Sequence, residues 1–196
     1  MKKMRIILAS KSPTRYNILK GLGIKPEVII TNADENINGG PEYTVKELAA
    51  RKAAAAKDML GGETGLLIVA ADTVVCFEDK ILGKPVSQQD AFEALSMLSG
   101  KIHEVYSGLV LVYNSVTLCD FDVTRVKFKD LTPREIYLYI KTGDPMSRAG
   151  SYGAEGAGAA FIERIEGDFF NIAGLPVFKF VKMLEKGFGL SIFDLM

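Results

Sequence analysis

The most restrictive feature of the chain is Leu66-Leu67-Ile68-Val69-Ala70-Ala71, an unbroken apolar run that meets a single carboxylate, Asp72. The segment continues Thr73-Val74-Val75-Cys76-Phe77, turns at Glu78-Asp79-Lys80 and returns through Ile81-Leu82-Gly83 to Lys84-Pro85. A run that is apolar on both alternating faces predicts a strand buried within a sheet. An unpaired buried carboxylate is strongly disfavoured, so Asp72 must face a partner, a metal or a cleft. Lys84, across the hairpin, is placed to stand at the same cleft.

Around this strand the sequence alternates helical and strand patterns. Residues 4–9 form a short β run, and the basic-then-apolar start, Met1 to Ser10, reads as a first strand because its apolar part is too short for a signal sequence. Ser12 before Pro13 predicts a capped helix that exits at Gly21 and Gly23. Residues 26–30 predict a second strand, Pro41 to Leu60 the longest helix, and Ser87 with Asp90 the cap of a helix ending at Ser99-Gly100. A long hairpin follows over 102–113 and 116–128, and then a helix capped by Thr132 that runs to Lys141. Residues 142–158 read as a long loop with five glycines, 159–165 as a strand, 167–171 as a turn and Val177 to Leu184 as the last helix. Alternating helices and strands followed by a hairpin predict an α/β fold with a mixed central sheet flanked by helices, built as one domain over residues 1–196.

Composition narrows the partners. The formal net charge is zero, which argues against a stable nucleic-acid complex or an anionic membrane surface. No apolar run approaches the ~18 residues of a membrane span. Cys76 and Cys119 lie in strand-like runs without a CxxC and read as two core thiols, consistent with a cytoplasmic protein. The single histidine, His103, reads as structural, and neither a histidine-based triad nor a zinc site has the material it needs.

Several stretches suit a phosphorylated ligand. The first helix offers backbone N–H groups, the hydroxyls of Ser10, Ser12 and Thr14, and the cations of Lys11 and Arg15. Asp34-Glu35 sits in a polar loop after the second strand, a place for metal ligation or for a solvated acidic turn. Lys52 lies on the long helix.

Taken together, the segments LASKSPTR (8–15), DE (34–35), LAARKA (48–53), AADTVV (70–75), LGKP (82–85), LSGKIHEVYSG (98–108), DPMSRAGSYGAEG (144–156) and GLPV (174–177) span nearly the whole chain, and with them the sequence resembles the Maf family of nucleoside triphosphate pyrophosphatases, also called septum formation inhibitor proteins. The resemblance implies a two-lobed fold of the inosine triphosphate pyrophosphatase kind, with an active-site cleft between the lobes. It also implies hydrolysis of a nucleoside triphosphate between the α- and β-phosphates with a divalent cation, Mg²⁺ or Mn²⁺, with Co²⁺ as a third candidate. By the same resemblance, Asp72 is the general base, a metal ligand or both, and Glu35 a metal ligand. Ser10, Arg15, Lys52 and Lys84 would hold the triphosphate, and Thr14, Thr73 and Glu155 would lie at positions linked to base choice. A homodimer is a family-level expectation, and a nucleotide-binding regulator of cell division without turnover is the alternative of another class.

The chain departs from the family pattern at named places. The usual SPRR is SPTR here, so Thr14 replaces an arginine. The usual YGIQG is YGAEG, so Glu155 replaces a glutamine that both donates and accepts, whereas an ionised glutamate only accepts. Arg148 stands in place of a lysine. Thr73 points to dTTP or UTP, and Glu155 to a guanine-like edge such as that of 7-methyl-GTP.

Overall fold

A computed structural model describes residues 4–196, so Lys2 and Lys3 of the basic start lie outside the described residues. In chain order the elements are β1 (Arg5–Leu8), α1 (Pro13–Gly21), β2 (Glu27–Val28), α2 (Pro41–Met59), β3 (Leu66–Phe77), β4 (Lys80–Leu82), α3 (Gln88–Leu98), β5 (Ile102–Tyr113), β6 (Val116–Phe128), α4 (Pro133–Ile140), β7 (Ile162–Glu166), α5 (Phe169–Ile172) and α6 (Val177–Met183). The strands form one mixed sheet in the order β2-β1-β3-β5-β6-β7, with β4 also paired to β3. β1 is parallel to β2 and β3, and the remaining pairs are antiparallel.

Side-chain alternation along β3 assigns its two faces to different helices. Leu67, Val69 and Ala71 pack with Leu19 of α1 and Phe180 of α6. Leu66, Ile68 and Ala70 pack with Ala49, Ala53 and Ala56 of α2 on the opposite face. Each large side chain buried in this way contributes roughly 1.5–3 kcal/mol relative to exposure. With α1 and α2 on opposite faces and β1 between β2 and β3, the carboxyl ends of the parallel strands become a crevice where the winding reverses. A third core, built on Val75, Val105 and Phe128 with Leu95 of α3 and Ile136 of α4, occupies the far end of the same strands. The sheet therefore carries cores at both ends, and β3 and β5 run through both.

Between those cores β3 has a gap along one edge. Its pairing with β1 ends at Leu8↔Val69, and its pairing with β4 covers only Val75 to Phe77. Residues 70–74 are paired on the β5 side alone among the described residues. Asp72 and Thr73 fall in this notch. Across the ladder Asp72 faces Gly108, where a Cβ would stand 2.2 Å from the Val45 carbonyl oxygen. The missing side chain lets α2 lie directly on β5 at this level.

Helix starts follow their caps. The Ser12 hydroxyl accepts the Arg15 N–H, the Ser87 hydroxyl accepts that of Asp90, and Thr132 with Glu135 completes a reciprocal capping box. Other expectations needed correction. β2 is two residues long, and the Ile29 N–H, bonded to the Leu8 carbonyl, makes its last link to β1. Residues 157–161 form a 3₁₀ turn, so the strand expected from 159 begins only at Ile162. The expected turn at 167–171 contains the short helix α5, capped by Asp168. Cys76 is buried, but Cys119 is exposed, since its strand β6 has one open face. No helix among the described residues is long and apolar enough to cross a membrane.

Candidate active site

Asp72, Glu35, Lys52, Lys84, Ser10, Arg15, Thr14, Thr73 and Glu155 all line one cleft of about 810 Å³, together with Lys11, Arg148 and Tyr152. This is within the usual range for small-molecule sites. The residues come from the β1–α1 turn, the loop after β2, α2, the notch of β3, the segment after β4 and the glycine-rich loop. Every predicted site residue is thus brought to one place.

The alternation of β3 decides what each of its two polar residues meets. Asp72 continues the even-numbered face toward α2, where the Lys52 Nζ donates to its Oδ1 at 2.5 Å. Asp72 is 9% exposed, and its Oδ2 has no partner among the described residues. The same Lys52 Nζ lies 3.1 Å from Oε1 of Glu35. One ammonium therefore bridges two carboxylates. Partial burial pushes the Glu35 carboxyl up, but Lys52 first, then Lys84 and Lys11, outweigh it and hold the group below its ordinary value. Among the described residues no three His, Cys, Asp or Glu side chains converge on one metal position. The donor set is a carboxylate pair around a cation, which fits a hard divalent ion completed by ligand oxygens better than an all-protein cage.

Thr73 continues the odd-numbered face and meets α1. Its Oγ1 accepts from Nη2 of Arg15 at 3.0 Å. Arg15 also donates through Nε to the Gly174 carbonyl at 2.8 Å and through Nη1 to the Ser10 hydroxyl at 3.2 Å. Burial lowers the Arg15 guanidinium, with Asp72 and Glu35 opposing. Lys84 and Lys11 are exposed, form no ion pair among the described residues and line the cleft, where their charges act on Glu35.

The two substitutions at Thr14 and Glu155 meet each other. The Thr14 hydroxyl donates to Oε1 of Glu155 at 2.7 Å. Arg148 pairs with that same Oε1 and also donates through Nη1 to Thr14 at 3.1 Å. Its Nε and Nη2 donate to Asp144, whose other oxygen accepts from the Tyr139 hydroxyl at 2.6 Å. Burial alone would lower Arg148, but Glu155 and Asp144 more than offset it. Glu155 Oε2 takes no hydrogen bond among the described residues.

Sequence reasoning gave no role to Ser107, Tyr152, Asn171 or Gly174. Ser107 and Asn171 are fully buried. Next to Tyr152, Ser151 adopts φ 63°, in the left-handed region, at a buried position. His103 is not among the residues lining the cleft; it is 2% exposed, with Nε2 2.8 Å from the hydroxyl of Tyr152 and Nδ1 without a partner among the described residues.

Family models, relatives and solved structures each give a match. The model of the family described as Maf-like protein matches residues 5–187. A dTTP/UTP pyrophosphatase of Clostridium perfringens (strain SM101 / Type A) is 46% identical, covering 93% of this chain and 96% of that protein. A dTTP/UTP pyrophosphatase of Alkaliphilus oremlandii is 41% identical, covering 98% of this chain and 100% of that protein. Among solved structures, a nucleoside-triphosphatase / dITP/XTP pyrophosphatase from Mycobacterium abscessus is 16% identical, with a TM-score of 0.49 over 96% of this chain and 100% of that one. The family match over residues 5–187 and near-full-length relatives above 40% identity agree with the eight ordered motifs: the chain belongs to the Maf-like protein family.

Proposed function

We propose that the protein hydrolyses pyrimidine nucleoside triphosphates of the dTTP/UTP kind to the monophosphate and pyrophosphate. The observation that carries this reading is the pairing of Asp72 and Glu35 through Lys52 at the floor of a cleft that also presents Arg15, Lys84 and Lys11. A triphosphate is a concentrated polyanion, and its burial needs several cations. Arg15 offers a planar fork, whereas Lys52, Lys84 and Lys11 act as point charges.

Asp72 then serves as general base. Its free Oδ2 accepts a proton from a water whose oxygen bonds to the α-phosphorus, the bond from that phosphorus to the bridging oxygen breaks, and pyrophosphate leaves with the electron pair. Lys52 is drawn onto the phosphate oxygens, which releases Asp72 from its ion pair at the moment the base is needed. Asp72 and Glu35 would hold a divalent cation, Mg²⁺ or Mn²⁺. Neutralising charge on the phosphate oxygens is what such an ion supplies when bound. The two unpaired thiols, Cys76 and Cys119, accord with work in a reducing cytoplasm, where nucleotide pools lie.

Base choice is assigned to Glu155. A guanine edge presents two N–H donors in parallel and suits both oxygens of a carboxylate. Here Oε1 is saturated by Thr14 and Arg148, so only Oε2 is open. One open acceptor matches the single N–H of a thymine or uracil imide. This favours a pyrimidine over 7-methyl-GTP. The test is a panel of dTTP, UTP, dCTP, GTP and 7-methyl-GTP with Mg²⁺ or Mn²⁺, read by pyrophosphate release. Turnover led by dTTP and UTP is expected. Nucleotide binding without any pyrophosphate would instead mark a non-catalytic nucleotide binder and overturn the proposal.

A further inference from the structure

Thr73 stands at the cleft beside Asp72, where it looks free to contact a ligand, but its hydrogen bonds are already committed. The Ser107 hydroxyl has one proton, and it goes to the Asn171 carbonyl oxygen at 2.8 Å, an atom that can only accept. The Thr73 and Ser107 oxygens are 2.7 Å apart. Because Ser107 has spent its proton, Thr73 must be the donor in that contact. Thr73 Oγ1 in turn accepts from Arg15 Nη2 at 3.0 Å. The chain therefore runs in one direction, from the Arg15 guanidinium through Thr73 and Ser107 to the Asn171 carbonyl. Asn171 is itself fixed, since its Nδ2 donates to the Val105 carbonyl at 2.9 Å and to the Thr124 hydroxyl at 3.1 Å. Ser107, Thr124 and Asn171 are fully buried, so water does not compete for these bonds.

The other side of the guanidinium is equally constrained. Nε donates to the Gly174 carbonyl at 2.8 Å. Gly174 has φ 101°, and a Cβ there would stand 3.2 Å from Thr73 Oγ1 and 3.4 Å from Arg15 Nε. A side chain at that position would be strained by its backbone and would press on both partners. With Ser10 on Nη1, three of the five N–H groups of Arg15 are held by the protein. One N–H remains on each terminal nitrogen, the pair a phosphate takes bidentately.

We infer that Thr73 is a positioning residue that aims the Arg15 guanidinium at a phosphate and donates no hydrogen bond to the base, and that buried Ser107 fixes its polarity by taking its proton. The inference rests on the phosphohydrolase reading for its consequence but not for its geometry. Thr73 has no proton to give a ligand, so it cannot discriminate between bases by donating.

The experiment has one arm without substrate and one with it. In ¹⁵N–¹H spectra of the full chain, the Arg15 Nε–H signal is expected to be resolved and slow to exchange in the wild type and in Thr73→Ser. In the near-isosteric Thr73→Val, and in Ser107→Ala, it is expected to broaden or exchange at least about tenfold faster. An unchanged signal in both overturns the inference. In turnover, Thr73→Val is expected to raise KM about tenfold or more by the same factor for dTTP, UTP and dCTP, with Thr73→Ser restoring it. A change in the ratio of kcat/KM between bases overturns the inference, because it makes Thr73 a base reader. Failure of the wild type to hydrolyse any triphosphate removes the functional reading, and the spectral arm still decides the role of Thr73.

Discussion

The Lys52 Nζ lies 2.5 Å from Oδ1 of Asp72 and 3.1 Å from Oε1 of Glu35, so a single helix residue pairs with two acids of the cleft. This relationship follows from two local facts. Asp72 is the next even-numbered residue after Leu66, Ile68 and Ala70, and so shares their α2-facing side. Gly108, opposite Asp72, leaves room for α2 to sit low enough for Lys52 to reach it. In the ligand-free protein the site keeps a buried carboxylate paired, which avoids the desolvation penalty of an isolated charge. On the proposed function, a polyanion entering the cleft would take over Lys52 from Asp72.

Glu155 should discriminate through its free oxygen. With Oε1 saturated by Thr14 and Arg148, Oε2 is left to accept an imide N–H. In Glu155→Gln the amide oxygen would face those two donors, and the open group would become an NH₂ donor. The wild type is expected to prefer UTP to N3-methyl-UTP, and Glu155→Gln to narrow that preference about tenfold, the worth of one hydrogen bond to a charged group. Steady-state kinetics on the two substrates measures it. An unchanged ratio would place base reading elsewhere.

Acid should destabilise the fold through His103. Burial lowers its pKa from 6.5 to about 4. The unfolded chain therefore binds a proton more readily than the folded one between these values, and stability is fully present above about pH 6.5 and lost as pH falls toward about 4. The loss attributable to this group is on the order of 3 kcal/mol, at 1.36 kcal/mol per pKa unit. Denaturant titrations of the wild type and His103→Gln between pH 4 and 7 check it, with the variant expected to show a flatter profile over that window.

Removing metal should stop turnover without loosening the fold. Among the described residues no three ligand side chains converge, and Lys52 holds the two carboxylates together without an ion. EDTA is expected to abolish pyrophosphate release, added Mg²⁺ or Mn²⁺ to restore it, and the melting temperature of the ligand-free protein to stay unchanged by chelation. Scanning calorimetry beside the activity assay separates the two effects.

Much of the fold was readable because its signals are local. The two-faced apolar run of β3, the Ser12-Pro13 and Thr132-Pro133 caps and the 102–128 hairpin each follow from neighbouring residues. The short helix α5 and the 3₁₀ turn at 157–161 were not readable, because they are held by contacts distant in sequence, such as the two hydrogen bonds that tie Asp168 to Thr124. Site membership came from the ordered motifs, and side-chain partners did not. Nothing in SPTR and YGAEG says that Thr14 and Glu155 touch, since 141 positions separate them. Ser107 escaped for the same reason, as a buried serine acquires a role only when Thr73 and Asn171 are seen on either side of it.

On the proposed function, Asp72 is the base of a phosphohydrolase site. The measurement that tests it most directly is turnover of dTTP and UTP by Asp72→Asn beside calorimetric binding of a non-hydrolysable analogue. Loss of a positioned general base predicts a fall in kcat of about 10²–10⁴-fold. Binding should persist, because Arg15, Lys84 and Lys11 still face the cleft. Near-wild-type turnover by Asp72→Asn would contradict the account.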